Sequence, residues 1–192
     1  MGVTGLLKLC KEGACHDVSF THGDSSSLII LDGCFMLHRC LAQKGVASSV
    51  HNGGDLSQLI AASVRFVRRL QDAGWVIFIV FDGKTPPAKS GTSVKRREDR
   101  EKALRKLSEA TTAHERDKYV KLCVGLTPRI IAGVARAIAE RCGVNIITAP
   151  YEADAQLVFV ESQLSSLYER CFVYANDSDL VVLGVSNMVY DI

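Results

Sequence analysis

Short apolar runs that each stop at an acidic residue set the frame for this chain. SLIIL at residues 27–31 runs into Asp32, WVIFIVF at residues 75–81 runs into Asp82, and CFVYA at residues 171–175 is followed by Asp177 and Asp179. A fourth run, VNIIT at residues 144–148, leads shortly to Glu152 and Asp154. Runs this short and this rich in Ile, Val and Phe read as buried strands rather than helices. Between them the periodicity changes. Residues 55–73 carry Leu56, Leu59, Ile60, Val64, Val67 and Leu70 on one helical stripe, with Gly74 as the stop. Thr127-Pro128 opens another helix as N-cap and first-turn proline, Gly143 closes it, and residues 151–167 read as the next. Strands alternating with helices of this length predict an α/β fold, a mainly parallel sheet flanked by helices on both faces.

Composition narrows the class. Of 192 residues, 47% are hydrophobic and 23% charged, which argues against disorder. The longest apolar runs fall far short of the roughly 18 consecutive residues that a membrane-spanning helix needs, so no membrane partner is expected. The leading MGVTGLLKLCKEG has neither a long apolar stretch nor a small-residue cleavage site, and Leu6 stands where a myristoylation signal wants Ser or Thr. A cytosolic or nuclear protein is the expectation. Seven cysteines (Cys10, Cys15, Cys34, Cys40, Cys123, Cys142, Cys171) are odd in number and form no CxxC, which favours reduced structural thiols over a zinc ribbon or a disulfide framework.

The net charge of +2 conceals an uneven distribution. Residues 95–121 hold ten basic and six acidic side chains, a local +4, which leaves thirteen basic against fifteen acidic in the other 165 residues. Glu98 with Lys102 and Glu101 with Arg105 stand four apart in the favourable order for an exposed helix, so a solvated connector is one reading.

The acidic residues follow strands. In open parallel sheets, ligands bind beyond the carboxyl ends of the strands, and Asp32, Asp82, Glu152, Asp154, Asp177 and Asp179 all fall at that edge. A single such Asp is commonly a helix cap. Six converging carboxylates would repel one another in a partly dry cleft unless cations neutralised them. Hard oxygen donors suit two Mg²⁺ or Mn²⁺ ions, and two ions about 3.5–4 Å apart support in-line displacement at phosphorus without a side-chain nucleophile. No His or Cys is expected to make a soft site. The sequence holds neither a GxxxxGK[ST] loop nor a GxGxxG turn, which disfavours nucleotide hydrolysis and dinucleotide binding.

Taken in order, MGVTGLL, ILDGCFMLHR, VFDGKTPPAKS, KRREDREKALRKL, APYEADAQL and ANDSDLVVLG resemble the structure-specific 5′ nuclease superfamily, which includes flap endonucleases, XPG-type nucleases and exonuclease 1. PYEADAQ, NDSDL and His38 look most similar to the exonuclease 1 branch. The resemblance implies a PIN-like fold with a basic helical arch inserted after the second strand, and metal-dependent cleavage of DNA near a 5′ end, flap or single-strand/double-strand junction in repair or replication. It implies the six carboxylates as metal ligands and Lys89 with Arg96 as the basic pair that steadies the scissile phosphate. Gly2 would lie near the substrate junction, while His38, on the helix after Asp32, would contact the nucleotide by the cut or simply pack its helix. Lys95, Arg97 and Arg100 would then face DNA phosphates from the arch, and a nuclear location is expected.

The implied organisation is a nuclease core over 1–192, with an N-terminal region at 1–94, the arch at 95–126 and an internal region at 127–192. The family's further strand, metal-binding Asp and helix-hairpin-helix module have no counterpart in these residues. Asn176 stands where the family usually has an acidic residue. Two other readings stay open: a DNA-binding or scaffolding domain with little turnover, and an RNA-directed PIN-type nuclease.

Overall fold

The computed structural model describes residues 22–86 and 90–189. Its centre is β1 (Ser27–Asp32), whose residues 28–31 are at most 1% exposed. Alternation along this strand decides the architecture: Ile29 and Leu31 enter one apolar core, Leu28 and Ile30 the other. A strand buried on both faces needs neighbours on both sides. β1 pairs in parallel with β2 (Val76–Phe81) and with β4 (Arg170–Tyr174). β3 (Asn145–Thr148) and the two-residue β5 (Met188–Val189) add outside them, giving the order β3-β2-β1-β4-β5 with every pairing parallel.

Helices cover both faces. α1 (Gly33–Leu41), α2 (Val46–Gly53), α3 (Ser57–Asp72) and α6 (Pro128–Cys142) contribute to the core around Ile29 and Leu31. α7 (Ala153–Leu164) and the single turn α8 (Asp179–Val182) cover the other face. The expected stripe on α3 is buried at Leu59, Val64, Val67 and Leu70, and its one buried hydroxyl, on Ser63, donates to the Leu59 carbonyl at 2.8 Å. α6 forms as its termini require: the Thr127 hydroxyl accepts from the Ile130 amide at 3.3 Å, Pro128 is the first residue, and Gly143 ends the helix at φ 64°. Gln71 Nε2 donates to the Cys142 carbonyl at 2.9 Å and joins the ends of α3 and α6.

Three expectations shift. The helix expected over 55–73 spans Ser57–Asp72 and that over 151–167 spans Ala153–Leu164; the first amide of each goes to a carboxylate outside the helix, that of Ser57 to Asp55 and that of Ala153 to Asp82, both at 2.8 Å. The basic segment is two helices, not one: α4 (Ser90–Glu109), starting before the charged run, and α5 (Ala113–Cys123). A reciprocal cap separates them, with the Thr112 hydroxyl accepting from the Glu115 amide and the Glu115 carboxylate accepting from the Thr112 amide, both at 3.1 Å. Among the described residues the ion pairs on α4 are Arg97–Glu101 at 3.8 Å and Asp99–Lys102 at 3.6 Å, so Glu101 and Lys102 take partners other than the Arg105 and Glu98 that spacing suggested. α2 has no counterpart in the sequence reading; two left-handed glycines, Gly45 and Gly54, bracket it.

The hairpin of α4 and α5 is held by a narrow apolar seam. Ala103 and Val120 are buried, while the charged side chains of α4 other than Arg100 are exposed. Among the described residues no single helix is long and apolar enough to cross a membrane. Replacing Thr127 by Ala removes the α6 cap and is expected to cost about 1 kcal/mol in denaturant unfolding with an unchanged slope.

Candidate active site at the carboxyl edge of the sheet

Because every pairing is parallel, the carboxyl ends of β1 to β4 share one edge, and each leads into carboxylates. Asp32 ends β1 and caps α1, its Oδ1 accepting from the Phe35 amide at 3.0 Å. Asp82 follows β2. The next residue must be glycine: a Cβ on Gly83 would collide with the backbone oxygen of Ala149, because the two loops are joined there. The Gly83 amide donates to the Tyr151 carbonyl at 2.6 Å, and the Lys84 amide to the Pro150 carbonyl at 3.2 Å.

This junction aims Asp82 at the start of α7. Its Oδ1 accepts from the Ala153 amide at 2.8 Å, while the local N-cap residue, Glu152, makes no side-chain cap bond. A carboxylate 71 residues earlier in the chain therefore caps the helix that carries Asp154 in its first turn. Past β4, Asp177 Oδ1 accepts from the Asp179 amide at 2.9 Å, which opens α8.

The electrostatics register the crowding. Loss of solvent around Asp32 pushes its carboxyl up to about 7, against the Phe35 amide, and the charges of Asp82 and Asp154 raise it further. Asp32, Asp82 and Asp154 thus belong to one electrostatic cluster. Cys34 joins it: its thiol is pushed well up, first by burial and then by the charge of Asp82, whose carboxylate it also meets by hydrogen bond. The sequence reading did not single out Cys34 as a residue of this edge. The signal was visible in the sequence, since Cys34 is two residues past Asp32 at the start of the helix that Asp32 caps.

The basic residues divide. Lys95, Arg96 and Arg97 are exposed on α4, and Arg96 lies near enough to His38 for its charge to be felt. His38 keeps an exposed edge, yet desolvation of its imidazole and then Arg96 hold its pKa below the usual value, with Asp82 opposing. Arg100 turns its guanidinium onto Gly125, into the space that a side chain there would occupy. Gly2 and Lys89 lie outside the described residues. Beside His38 an open hollow of about 500 Å³ is lined by Arg39, Ala42 and Gln43, and an adjoining one of about 340 Å³ by Arg39, Phe66 and Arg69. The sequence reading singled out neither Arg39 nor Arg69, because isolated arginines on helices carry no spacing signal.

Among the described residues no three His, Cys, Asp or Glu side chains are gathered so as to hold one ion. Asp32, Asp82 and Asp177 each have an oxygen engaged by a backbone amide. The donor chemistry nevertheless fits a hard divalent cation: oxygen ligands, converging like charge, and one carboxyl whose ionisation is suppressed by burial and further by the charges of two neighbouring carboxylates.

Comparison with known proteins adds a family and a fold. Residues 1–103 match the family model of the XPG N-terminal domain. Exonuclease 1 of Danio rerio is 30% identical over 98% of this chain and 23% of its own length. Exodeoxyribonuclease 1 of Schizosaccharomyces pombe is 30% identical over 99% of this chain and 32% of its own length, so the chain spans a third or less of these two relatives. The catalytic core of Rad2 in complex with DNA substrate superimposes with a TM-score of 0.61 at 22% identity, covering 97% of this chain and 50% of that one. The fold is the PIN-like α/β fold of that core.

The raised Asp32 carboxyl makes a signed prediction. Between pH 4 and 7 the folded protein retains a proton that the unfolded chain releases, so this group's contribution to stability falls as pH rises through that window and is flat above it. Asp32→Asn keeps a cap acceptor and does not titrate. It is expected to raise the Tm of the metal-free protein at pH 8 and to leave it nearly unchanged at pH 4, as thermal melts on both proteins will show.

Proposed function

Because the chain belongs to the XPG N-terminal domain family, we propose that it forms the catalytic core of a divalent-cation-dependent 5′ nuclease of the exonuclease 1 type. It hydrolyses DNA phosphodiesters at a 5′ end, flap or single-strand/double-strand junction. The observation that carries this reading is the clustering of Asp32, Asp82 and Asp154 at the sheet edge, with Arg96 of a basic hairpin next to His38 at the same edge.

In this reading Asp32, Asp82, Glu152, Asp154, Asp177 and Asp179 would hold two Mg²⁺ or Mn²⁺ ions, which would supply a water nucleophile and stabilise charge on the phosphate. The chain's own groups do the remaining work. Arg96, together with Lys89, grips the scissile phosphate and offsets charge developing on it. Lys95 and Arg97 attract the single strand towards the edge, Arg97 exchanging its exposed Glu101 partner for phosphate. Arg100, half-buried against Gly125, contributes field more than contact. His38, biased towards its neutral form, suits stacking on a base better than pairing with a phosphate, and the family resemblance assigns Gly2 to the substrate junction. The hollows around Arg39 and Arg69 extend this basic surface towards a duplex. The location that goes with such an activity in DNA repair or replication is the nucleus.

A second reading, a DNA-binding or scaffolding domain without turnover, draws on the lack among the described residues of three donors gathered around one ion. An RNA-directed activity has no separate observation in its favour.

Two measurements decide. On 5′-recessed and 5′-flap DNA with Mg²⁺, cleavage is expected, abolished by chelator and lowered at least about 100-fold in kcat by Asp177→Asn, with DNA binding retained. Tight, salt-sensitive binding by the unaltered chain without hydrolysis would establish the second reading, and faster cleavage of a matched RNA the third. For single-stranded DNA, Arg96→Ala with Arg97→Ala is expected to flatten the plot of log affinity against log salt by about 1.4, near 0.7 per lost cation.

A further inference from the structure

One buried carboxylate takes no part in that scheme. Glu161, only 4% exposed, lies on α7 and makes no ion pair among the described residues; it accepts the Ser186 amide on both oxygens, Oε1 at 3.0 Å and Oε2 at 3.3 Å. Burying a carboxylate to satisfy one backbone amide is costly unless the amide must be held.

What that amide holds is the crossover that carries two of the edge carboxylates. The chain leaves β4 at Ala175, places Asp177 and Asp179, makes the single turn of α8, reverses at Gly184 with φ 93°, and returns through Ser186 and Asn187 to β5. Its two ends are pinned differently. β5 contributes only two residues of ladder, with the Val173 amide donating to the Asn187 carbonyl at 2.8 Å and the Ala175 amide to that of Val189 at 3.0 Å. A two-residue strand is a weak anchor. Asn187 Nδ2 donates to the Cys171 carbonyl at 3.3 Å, and Glu161 secures the residue before it from the helix above.

Helix geometry makes this anchor relevant to the site. Asp154 and Glu161 are seven residues apart on α7, hence about 10 Å apart along the axis and within roughly 20° on one face. The same helical face therefore carries an edge carboxylate at its first turn and the clamp on the Asp177/Asp179 crossover two turns below.

We propose that Glu161 is a positioning residue: it fixes the crossover bearing Asp177 and Asp179 at a set spacing from Asp154, and so sets the geometry in which the two groups of carboxylates share divalent cations. This rests on the reading of the edge as a cation site, but the clamp itself does not.

The test separates reach from charge. Glu161→Asp keeps the charge and shortens the side chain; Glu161→Gln loses the charge and keeps an oxygen at the same reach. Amide hydrogen exchange on the metal-free protein reads the clamp directly. Faster exchange at Ser186 and Asp179 is expected in Glu161→Asp, with β1 amides unchanged, and near-native exchange in Glu161→Gln. With Mn²⁺, followed by titration calorimetry, Glu161→Asp is expected to bind about tenfold more weakly and to lose about tenfold in kcat with KM unchanged, while Glu161→Gln stays within about twofold of the parent. Unaltered exchange at Asp179 in Glu161→Asp, or a Glu161→Gln variant weaker than Glu161→Asp, overturns the proposal. If the parent chain binds no Mn²⁺, the cation reading fails, and the exchange data still decide whether Glu161 positions the crossover.

Discussion

Like charge collected along one edge of a parallel sheet is the constraint on which this structure turns. Parallel pairing throughout brings the carboxyl ends of β1 to β4 together, and the chain places acidic side chains after each. The fold meets part of the resulting repulsion with backbone dipoles: the amides of Phe35, Ala153 and Asp179 donate to Asp32, Asp82 and Asp177. These bonds do not neutralise the cluster: burial first, and then the charges of Asp82 and Asp154, hold the Asp32 carboxyl up. The same bonds also do structural work, since Asp82 starts α7 and Asp177 starts α8. Site and scaffold are therefore one set of interactions.

How much of this was legible in the sequence depends on the range of the interaction involved. The four main strands, the stripe on α3 and both ends of α6 follow from spacing and capping chemistry within a few residues, and they fell where expected. The six carboxylates could be assigned to one edge because parallel topology alone puts them there. Their pairings could not. That Asp82 caps α7 depends on Gly83 lying against Ala149, a contact between loops about 66 residues apart that no local pattern encodes. Cys34 was passed over because an isolated cysteine reads as packing until its helix is docked against Asp82. α2 is not legible because its apolar positions, Val46, Ala47 and Val50, span little more than one turn and its glycine ends look like loop.

The arch shows why net charge misleads at the scale of a chain. Six acids within the arch and a net −2 in the rest of the chain hide most of the charge of its ten cations, yet the hairpin holds eight of them on exposed helix surface, while the acids of the edge lie part-buried at the ends of strands. Burial sharpens the field of the acids and solvent screens that of the bases. A polyanion can thus approach the basic hairpin, but it can meet the acidic edge only where cations intervene.

The central claim is that this edge is built to hold divalent cations. Anomalous scattering from crystals grown with Mn²⁺ tests it directly. Manganese peaks between the carboxylates of Asp32, Asp82 and Asp154, with Asp82 or Asp177 exchanging a capping bond for the ion, are the predicted result. Fully loaded crystals with manganese elsewhere, or with none at this edge, would contradict it.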